Sequence, residues 1–380
     1  MKFEQLIGQD KIVKHLIHEV LQQRTPHAQL FSGPEGSGNL ATALAFAQFM
    51  MCESPIDQDS CGTCGSCIKN SKLIHPDLHF TFPVIPYKSG VPPVSADYIE
   101  KFRAAVLDNP YLSYFDWMEA IDAENKQGNI TVAECKSIIG RLSLKPFESK
   151  VKVLIIWMPE FLGDAGNSLL KIIEEPTPNT HFLLVCNEPE EILATILSRV
   201  QMVKIDKIKD DKILQFLLDK GVDEKRSSWI TFMADGNLNS ALKLALDEDD
   251  SDTHLFQEWM QKCLKNDMEA LMEVSDKISA LGKVPVNSFL IGALQLIREA
   301  NALKYIDAYQ LRIDQEHHKF ISSFGGFINH EISRSLYESI NTTIYNIERN
   351  ANLKIEVFQL SLTLREILTN RKKEKRSAKS

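Results

Sequence analysis

The sequence is poor in several features, and each absence narrows its class. No apolar run is long enough to cross a bilayer. The longest charge-free stretch, Gly36 to Cys52, has 17 residues and carries Ser, Asn, Thr and Gln. The first residues, Met1-Lys2-Phe3-Glu4, lack the basic-then-apolar order of a secretory leader, so a cytoplasmic chain with no membrane contact is expected. Positive charge is not in excess. Lys+Arg number 43 against 51 Asp+Glu, a formal net charge of −8, which argues against a surface coated by nucleic acid. With 44% hydrophobic and 25% charged residues, the composition is that of an ordinary globular protein and excludes disordered, collagen-like and coiled-coil chains. At roughly 100–200 residues per domain, two or three domains are expected, each with its own core.

Cysteine is sparse but not scattered. Of seven, four stand together as Cys52-x8-Cys61-x2-Cys64-x2-Cys67, while Cys135, Cys186 and Cys263 are isolated. In a reducing compartment, clustered thiols separated by short glycine-containing turns point to metal ligation before disulfides. Zinc suits four thiolates, and a closed tetrahedral shell leaves no position for water, so the site is expected to be structural. Disulfides or unused thiols are the alternative, and His75 or His79 offers a substitute ligand. The segments between the cysteines carry Glu53, Asp57 and Asp59, and only Lys69 and Lys72 follow. That is not the basic, aromatic surface of a nucleic-acid-binding zinc module. A scaffold or a protein contact is expected instead.

Hydrophobic patterning divides the chain. Residues 27–32, 151–156, 181–186 and 201–205 read as strands, and the near-continuous β-branched run Val151–Ile156 has the character of a strand buried on both faces of a parallel sheet. Helical spacing occupies the segments before residue 25, at 40–51, 97–122, 131–142, 166–175 and 192–200. The Pro-rich stretch 79–93 reads as loop. Up to about residue 205 the alternation indicates an α/β domain with a parallel sheet. Two or three short helices follow over 208–246, and Asp247–Asp252 is an acidic hinge. Beyond it only helical patterns remain, with core stripes at Phe289/Leu290/Leu294/Ile297, Leu336/Ile340/Ile344/Ile347 and Ile355/Phe358/Leu362/Leu364/Ile367. The last ten residues hold six basic residues against one acid. A solvated terminus is expected there, with a weak contact to DNA phosphates or an acidic partner as the alternative.

Strand 27–32, the turn Gly33-Pro34-Glu35-Gly36-Ser37-Gly38 and helix 40–51 set out the frame of a phosphate loop. In a working loop, backbone N–H groups cradle the phosphates, a lysine reaches the β and γ oxygens, and a Ser/Thr hydroxyl ligates magnesium. Gly33, Gly36 and Gly38 keep the frame. Asn39 and Leu40 stand where the lysine and hydroxyl should be. The acidic end expected of the buried strand is also missing: Val151–Ile156 runs on into Trp157-Met158-Pro159, and Glu160 lies too far along to substitute. ATP hydrolysis is therefore not expected. ATP binding is left in doubt, because a backbone frame alone holds phosphate weakly.

With these residues in view, the chain resembles the delta-prime family of bacterial DNA polymerase III clamp-loader subunits, which are AAA+-type proteins. The matching pieces run in order. They are Phe3-x3-Ile7-Gly8-Gln9, Pro26-His27-Ala28-x-Leu30-Phe31, the Gly33–Gly38 frame, the four-cysteine module with His75-Pro76-Asp77, Asn167-Ser168-Leu169-Leu170-Lys171 with Glu174-Glu175-Pro176, and Thr195-Ile196-Leu197-Ser198-Arg199. The match is good over 1–250 and is one of kind beyond.

The resemblance implies an AAA+-type (P-loop NTPase-like) parallel-sheet domain over 1–205 with an inserted zinc module at about 52–67, a small helical lid over 206–250, an all-α collar over 251–370 and a basic tail over 371–380. Residues 79–130 are longer than the family leads one to expect. Where such families carry Ser-Arg-Cys at a subunit boundary, this chain reads Ser198-Arg199-Val200, so Arg199 is the implied arginine finger acting on a neighbour's ATP. Where ATPase relatives carry Gly-x-x-Arg in the lid, it reads Gly236-Asn237-Leu238-Asn239. The implied protein is a non-hydrolysing member of a hetero-oligomeric ring that acts on the sliding clamp, and on primed DNA through the assembly, in a nucleoid-associated replisome. It would share in a DNA-directed DNA polymerase only by membership of the complex. The alternative is the ATP-hydrolysing motor subunit of the same loader.

Overall fold

A computed structural model describes residues 1–87, 90–123, 126–246, 251–265, 267–305, 315–349 and 351–377. The chain divides into two compact units: Met1–Ile213 together with Gly236–Asn239, and Leu214–Asp235 together with Ser240–Ser380.

The first unit is built on five strands: β1 (Ala28–Ser32), β2 (Leu78–Thr81), β3 (Lys152–Trp157), β4 (Thr180–Cys186) and β5 (Gln201–Lys204). They lie in the order β2-β3-β4-β1-β5, and every pairing is parallel. Leu30 is in register with Leu184, and Leu154 with Phe182. All five residues of β1 and all six of β3 are buried, as expected for strands covered by helices on both faces. Strand β2 falls at the start of the stretch that reads as loop. It has four residues and pairs only with β3 at the sheet edge, too short a run for period-two alternation to register.

Around the sheet lie α1 (Asp10–Leu21), α2 (Asn39–Met51), α3 (Gly65–Ser71), α4 (Ile99–Asp108), α5 (Tyr114–Ala120), α6 (Val132–Leu142), α7 (Leu170–Glu174) and α8 (Ala194–Leu197). Helix α2 has no polar face and buries every residue except Met50, which makes it the central helix of this layer. The helical stretch expected over 97–122 is broken at Asn109-Pro110, where proline denies the preceding residue its helical conformation. The stretch 166–175 opens in a 3-10 segment, Pro159–Leu169, and only its end is α-helical. The insertion after β2 has an aromatic core of its own: Phe82 stacks on Phe102 at 3.9 Å, Trp117 meets Phe82 edge-on at 5.1 Å, and the Trp117 indole donates to the Pro83 carbonyl. Its far end is tied by Glu134, buried at 1%, which accepts from Thr81, Ser95 and Arg141.

Helix α9 (Asp210–Asp219) runs across the boundary between the units. The second unit is entirely helical among the described residues, with α10 (Glu224–Ala234), most of α11 (Leu238–Leu246), α12 (Ser251–Cys263), α13 (Met268–Ala280), α14 (Lys283–Tyr305), α15 (Gln315–Phe327), α16 (His330–Glu348) and α17 (Leu353–Ser377). Its core gathers Phe256, Trp259, Phe289, Leu296, Leu336, Ile340 and Leu364, with a polar thread in which the Trp259 indole and the Ser275 hydroxyl both donate to Ser361. Two expected stripes lie inward, but the third needs correction. Ile355 is 62% exposed, and Val357, Leu360 and Leu368 join the expected Leu364 in the core, with Leu362 and Ile367 partly buried against it. The four core positions follow i, i+3, i+7, i+11 and leave Phe358, Leu362 and Ile367 on the flank. The 247–250 part of the acidic hinge lies outside the described residues, as do the side chains of the 371–380 tail; the backbone of α17 runs helical to Ser377. No single helix among the described residues is long and apolar enough to cross a membrane.

Candidate functional site

The phosphate-loop frame sits where β1 feeds α2. Gly36 (φ +70°) and Gly38 (φ +92°) hold left-handed backbone that a side chain would strain, and a Cβ on Gly33 would lie 2.3 Å from the Ile205 carbonyl oxygen. Asn39 is turned inward. Its Nδ2 donates to the Gly33 carbonyl at 2.6 Å, the Cys186 carbonyl at 3.2 Å and Asn187 Oδ1 at 3.1 Å, so it ties β1 to the end of β4. Gln9 fixes the loop from the other side through the carbonyls of Ser37 and Asp206. Leu40 is 4% exposed and belongs to the core. Every residue from Gly36 to Leu40 is buried against this chain itself. This frame does not fit Mg·ATP: residue 39 is not a cation and residue 40 is not a hydroxyl, the two positions that would carry the chemistry, and Gly36 to Leu40 are buried.

At the end of β3, Trp157 and Met158 are 2% and 4% exposed, and the Trp157 ring lies 5.7 Å from that of Phe102. Glu160 is bound to the segment after β4. Its Oε1 accepts the backbone N–H groups of Asn187 and Glu188, while Oε2 is buried without a hydrogen-bond partner. Burial pushes its carboxyl up to about 7.

The four clustered cysteines come together, their sulfurs all within 4.8 Å of one another. Cys61 Sγ and Cys67 Sγ are 3.9 Å apart, too far for a disulfide and close to the ~3.8 Å edge that Zn–S bonds of about 2.3 Å give a tetrahedron. The backbone N–H groups of Cys61, Cys64 and Cys67 donate to the sulfurs of Cys52, Cys61 and Cys64, the pattern that stabilises thiolates. Donors from Cys64 and Thr63 pull the Cys61 thiol well below its usual range, while burial pushes those of Cys52 and Cys67 up. The donor set therefore fits a thiophilic tetrahedral ion held by Cys52, Cys61, Cys64 and Cys67. Neither His75 nor His79 belongs to this cluster, and the His75 ring accepts from the Asp77 N–H and faces Glu148 at 3.4 Å.

Arg199 follows α8 on the surface. Its guanidinium donates to the Thr195 carbonyl at 2.9 Å and Ser198 Oγ at 3.2 Å and pairs with Glu174 at 3.1 Å. Motif order in the sequence does not show what else meets at the phosphate loop. Asn109, Tyr111 and Asp116 come from the insertion, and Asn187 from the end of β4. Only the Asn109-Pro110 turn and the Ser113–Asp116 capping box hint that this part of the insertion has a fixed shape.

These features define a class: a parallel α/β protein with a phosphate-loop frame stripped of its chemical residues at the start of α2, and a four-thiol module at the end of that helix. Residues 8–209, just over half of the chain, match the family described as DNA polymerase III, delta subunit, and the chain belongs to that family. Among named proteins it is similar to the DNA polymerase III subunit tau of Bacillus subtilis (strain 168), 30% identical over 253 residues, covering 64% of this chain and 37% of that protein. It is also similar to the subunit delta' of the same organism, 24% identical over 242 residues, covering 63% of this chain and 60% of that one. Both matches span less than two thirds of the relatives' own length. A solved DNA polymerase III gamma subunit-related protein of Thermotoga maritima aligns over 94% of this chain with 14% identity and a TM-score of 0.41.

Proposed function

We propose that this chain is a non-hydrolysing clamp-loader subunit of DNA polymerase III that supplies Arg199 to the ATP site of a neighbouring subunit in a hetero-oligomeric ring. In this reading the sheet-bearing region carries a structural zinc on Cys52, Cys61, Cys64 and Cys67, residues 206–250 serve as a lid and 251–370 as a collar. The ring opens the sliding clamp and delivers it to primed DNA. The observation that carries the reading is an asymmetry. Asn39 and Leu40 are spent on internal structure, whereas the Arg199 side chain is 33% exposed and paired only with surface groups. An exposed pair such as Arg199–Glu174 is worth about 0–1 kcal/mol, so exchanging Glu174 for a phosphoryl group costs little.

The experiment is DNA- and clamp-stimulated ATP turnover by a reconstituted loader, wild type against Arg199→Ala, with assembly checked by gel filtration. A drop of roughly 10³-fold with the complex intact is expected. Unchanged turnover would leave Arg199 a surface residue and the chain a structural subunit. A second reading, the motor subunit itself, draws on the higher identity to tau than to delta'. It requires Asn39, Leu40, Trp157 and Met158 to do work that their chemistry does not support.

A further inference from the structure

Gly36 and Gly38 are the positions where a working phosphate loop keeps side chains away so that a ligand can come close. Here the atoms that come close are protein. A Cβ on Gly36 would lie 1.7 Å from Asn237 Oδ1, and one on Gly38 would lie 2.8 Å from the Tyr111 ring. The Leu238 N–H donates to the Gly36 carbonyl at 3.0 Å, and Asn237 Nδ2 lies 3.4 Å from Glu35 Oε1. The segment Gly236–Asn239 thus packs with the sheet-bearing unit although its flanking residues belong to the other.

It is also clasped there. Gly236 (φ +88°) sits so tightly on Lys207 and Ile208 that a Cβ would approach the Lys207 side chain to 2.9 Å. Asn239, 1% exposed, accepts from Asn109 Nδ2 at 2.6 Å and donates to Asp116 Oδ2 at 2.7 Å. Tyr111, whose N–H is held by the Asn109 side chain, accepts the Ile7 N–H on its hydroxyl at 3.1 Å. Asn109, Tyr111 and Asp116 all come from the insertion.

We propose that Gly236–Asn239, fastened by Asn109 and Asp116, together with the Tyr111 ring over Gly38, is an internal ligand of the phosphate loop, so that nucleotide is excluded by occupancy and not only by loss of the lysine and hydroxyl. The insertion over 79–130 thereby acquires a role: it holds the loop closed without ATP. The inference deepens the reading of a non-hydrolysing subunit and rests on it. The two fail separately, since that reading is tested by turnover in the assembled loader and this one by nucleotide binding to the full chain alone.

The probe is a fluorescent N-methylanthraniloyl ATP with Mg²⁺. Wild type and the double variant Asn39→Lys/Leu40→Thr are expected to show no saturable binding up to about 1 mM. Adding Tyr111→Ala and Asn237→Gly to that double variant is expected to tighten binding at least about tenfold. The proposal is overturned if wild type binds, if the double variant binds as well as the fourfold one, or if a folded fourfold variant still does not bind. Hydrogen exchange gives a test that does not depend on the fourfold variant folding. The Leu238 amide is expected to be protected in wild type, and Asn109→Ala to speed exchange over 237–239 by about tenfold or more while leaving β3 unchanged. An unprotected Leu238 amide in wild type overturns the proposal whatever the variants do.

Discussion

Glu160 is the carboxylate that a motor reading would need near the end of β3, and its surroundings predict a different behaviour. One oxygen caps the loop after β4 through the N–H groups of Asn187 and Glu188; the other is buried without a partner. Burial raises its pKa from 4.5 to about 7. Between those values the folded chain holds a proton that the unfolded chain has released, so stability falls as pH rises through the window. At 1.36 kcal/mol per unit, full ionisation costs about 3 kcal/mol above pH ~7 and nothing below pH ~4.5. Glu160→Gln keeps an oxygen for the two N–H donors and removes the ionisation. The opening free energy of β3 and β4 amides, measured by hydrogen exchange, should then be within about 0.5 kcal/mol of wild type at pH 4 and as much as about 3 kcal/mol higher at pH 8. Parallel pH profiles for the two proteins, or a variant weaker at pH 8, would refute the reasoning. In an assembled loader the same variant should leave ATP turnover unchanged, because a carboxylate spent on capping a loop is not a catalytic base.

Two further predictions concern the thiol module and its neighbour. Chain purified without chelator should contain about one zinc per molecule by atomic emission, and Cys64→Ser should lose most of it and melt at lower temperature; a metal-free wild type with unchanged stability would remove zinc from the account. Asp77 is 2% exposed and accepts the backbone N–H groups of Phe147, Glu148 and Ser149, which hold its carboxyl below the usual range. Its contribution is present above pH ~4 and lost as pH falls through the depressed value, so Asp77→Asn should cost about 3 kcal/mol at neutral pH and flatten the acid limb of urea denaturation.

How much of this was legible in the sequence depends on the length scale of each signal. Strands β1, β3 and β4 announce themselves because burial on both faces demands apolar runs such as Val153–Ile156, whereas β5 is exposed at three of its four residues. Strand β2 does not, because four edge residues carry no period. The α17 stripe is right at Leu364 and wrong at Ile355, because Ile355 is as apolar as Val357 and Leu360 and only packing decides which row faces inward. At the site, the four cysteines and the degenerate loop are local motifs, readable from spacing. The contact of Asn239 with Asn109 and Asp116 spans more than 120 positions and uses common polar residues, so no motif marks it. Asn39 reads as a missing lysine; that it also binds β1 to the β4 end appears only in three dimensions.

The central claim, a subunit that turns over no ATP itself, is tested most directly in a reconstituted loader whose other subunits carry disabled phosphate loops while this chain is wild type. Clamp- and DNA-stimulated hydrolysis should fall to the level of the buffer blank. Hydrolysis that persists, and that disappears when Asn39 or Leu40 of this chain is replaced, would contradict the account and make this chain a motor.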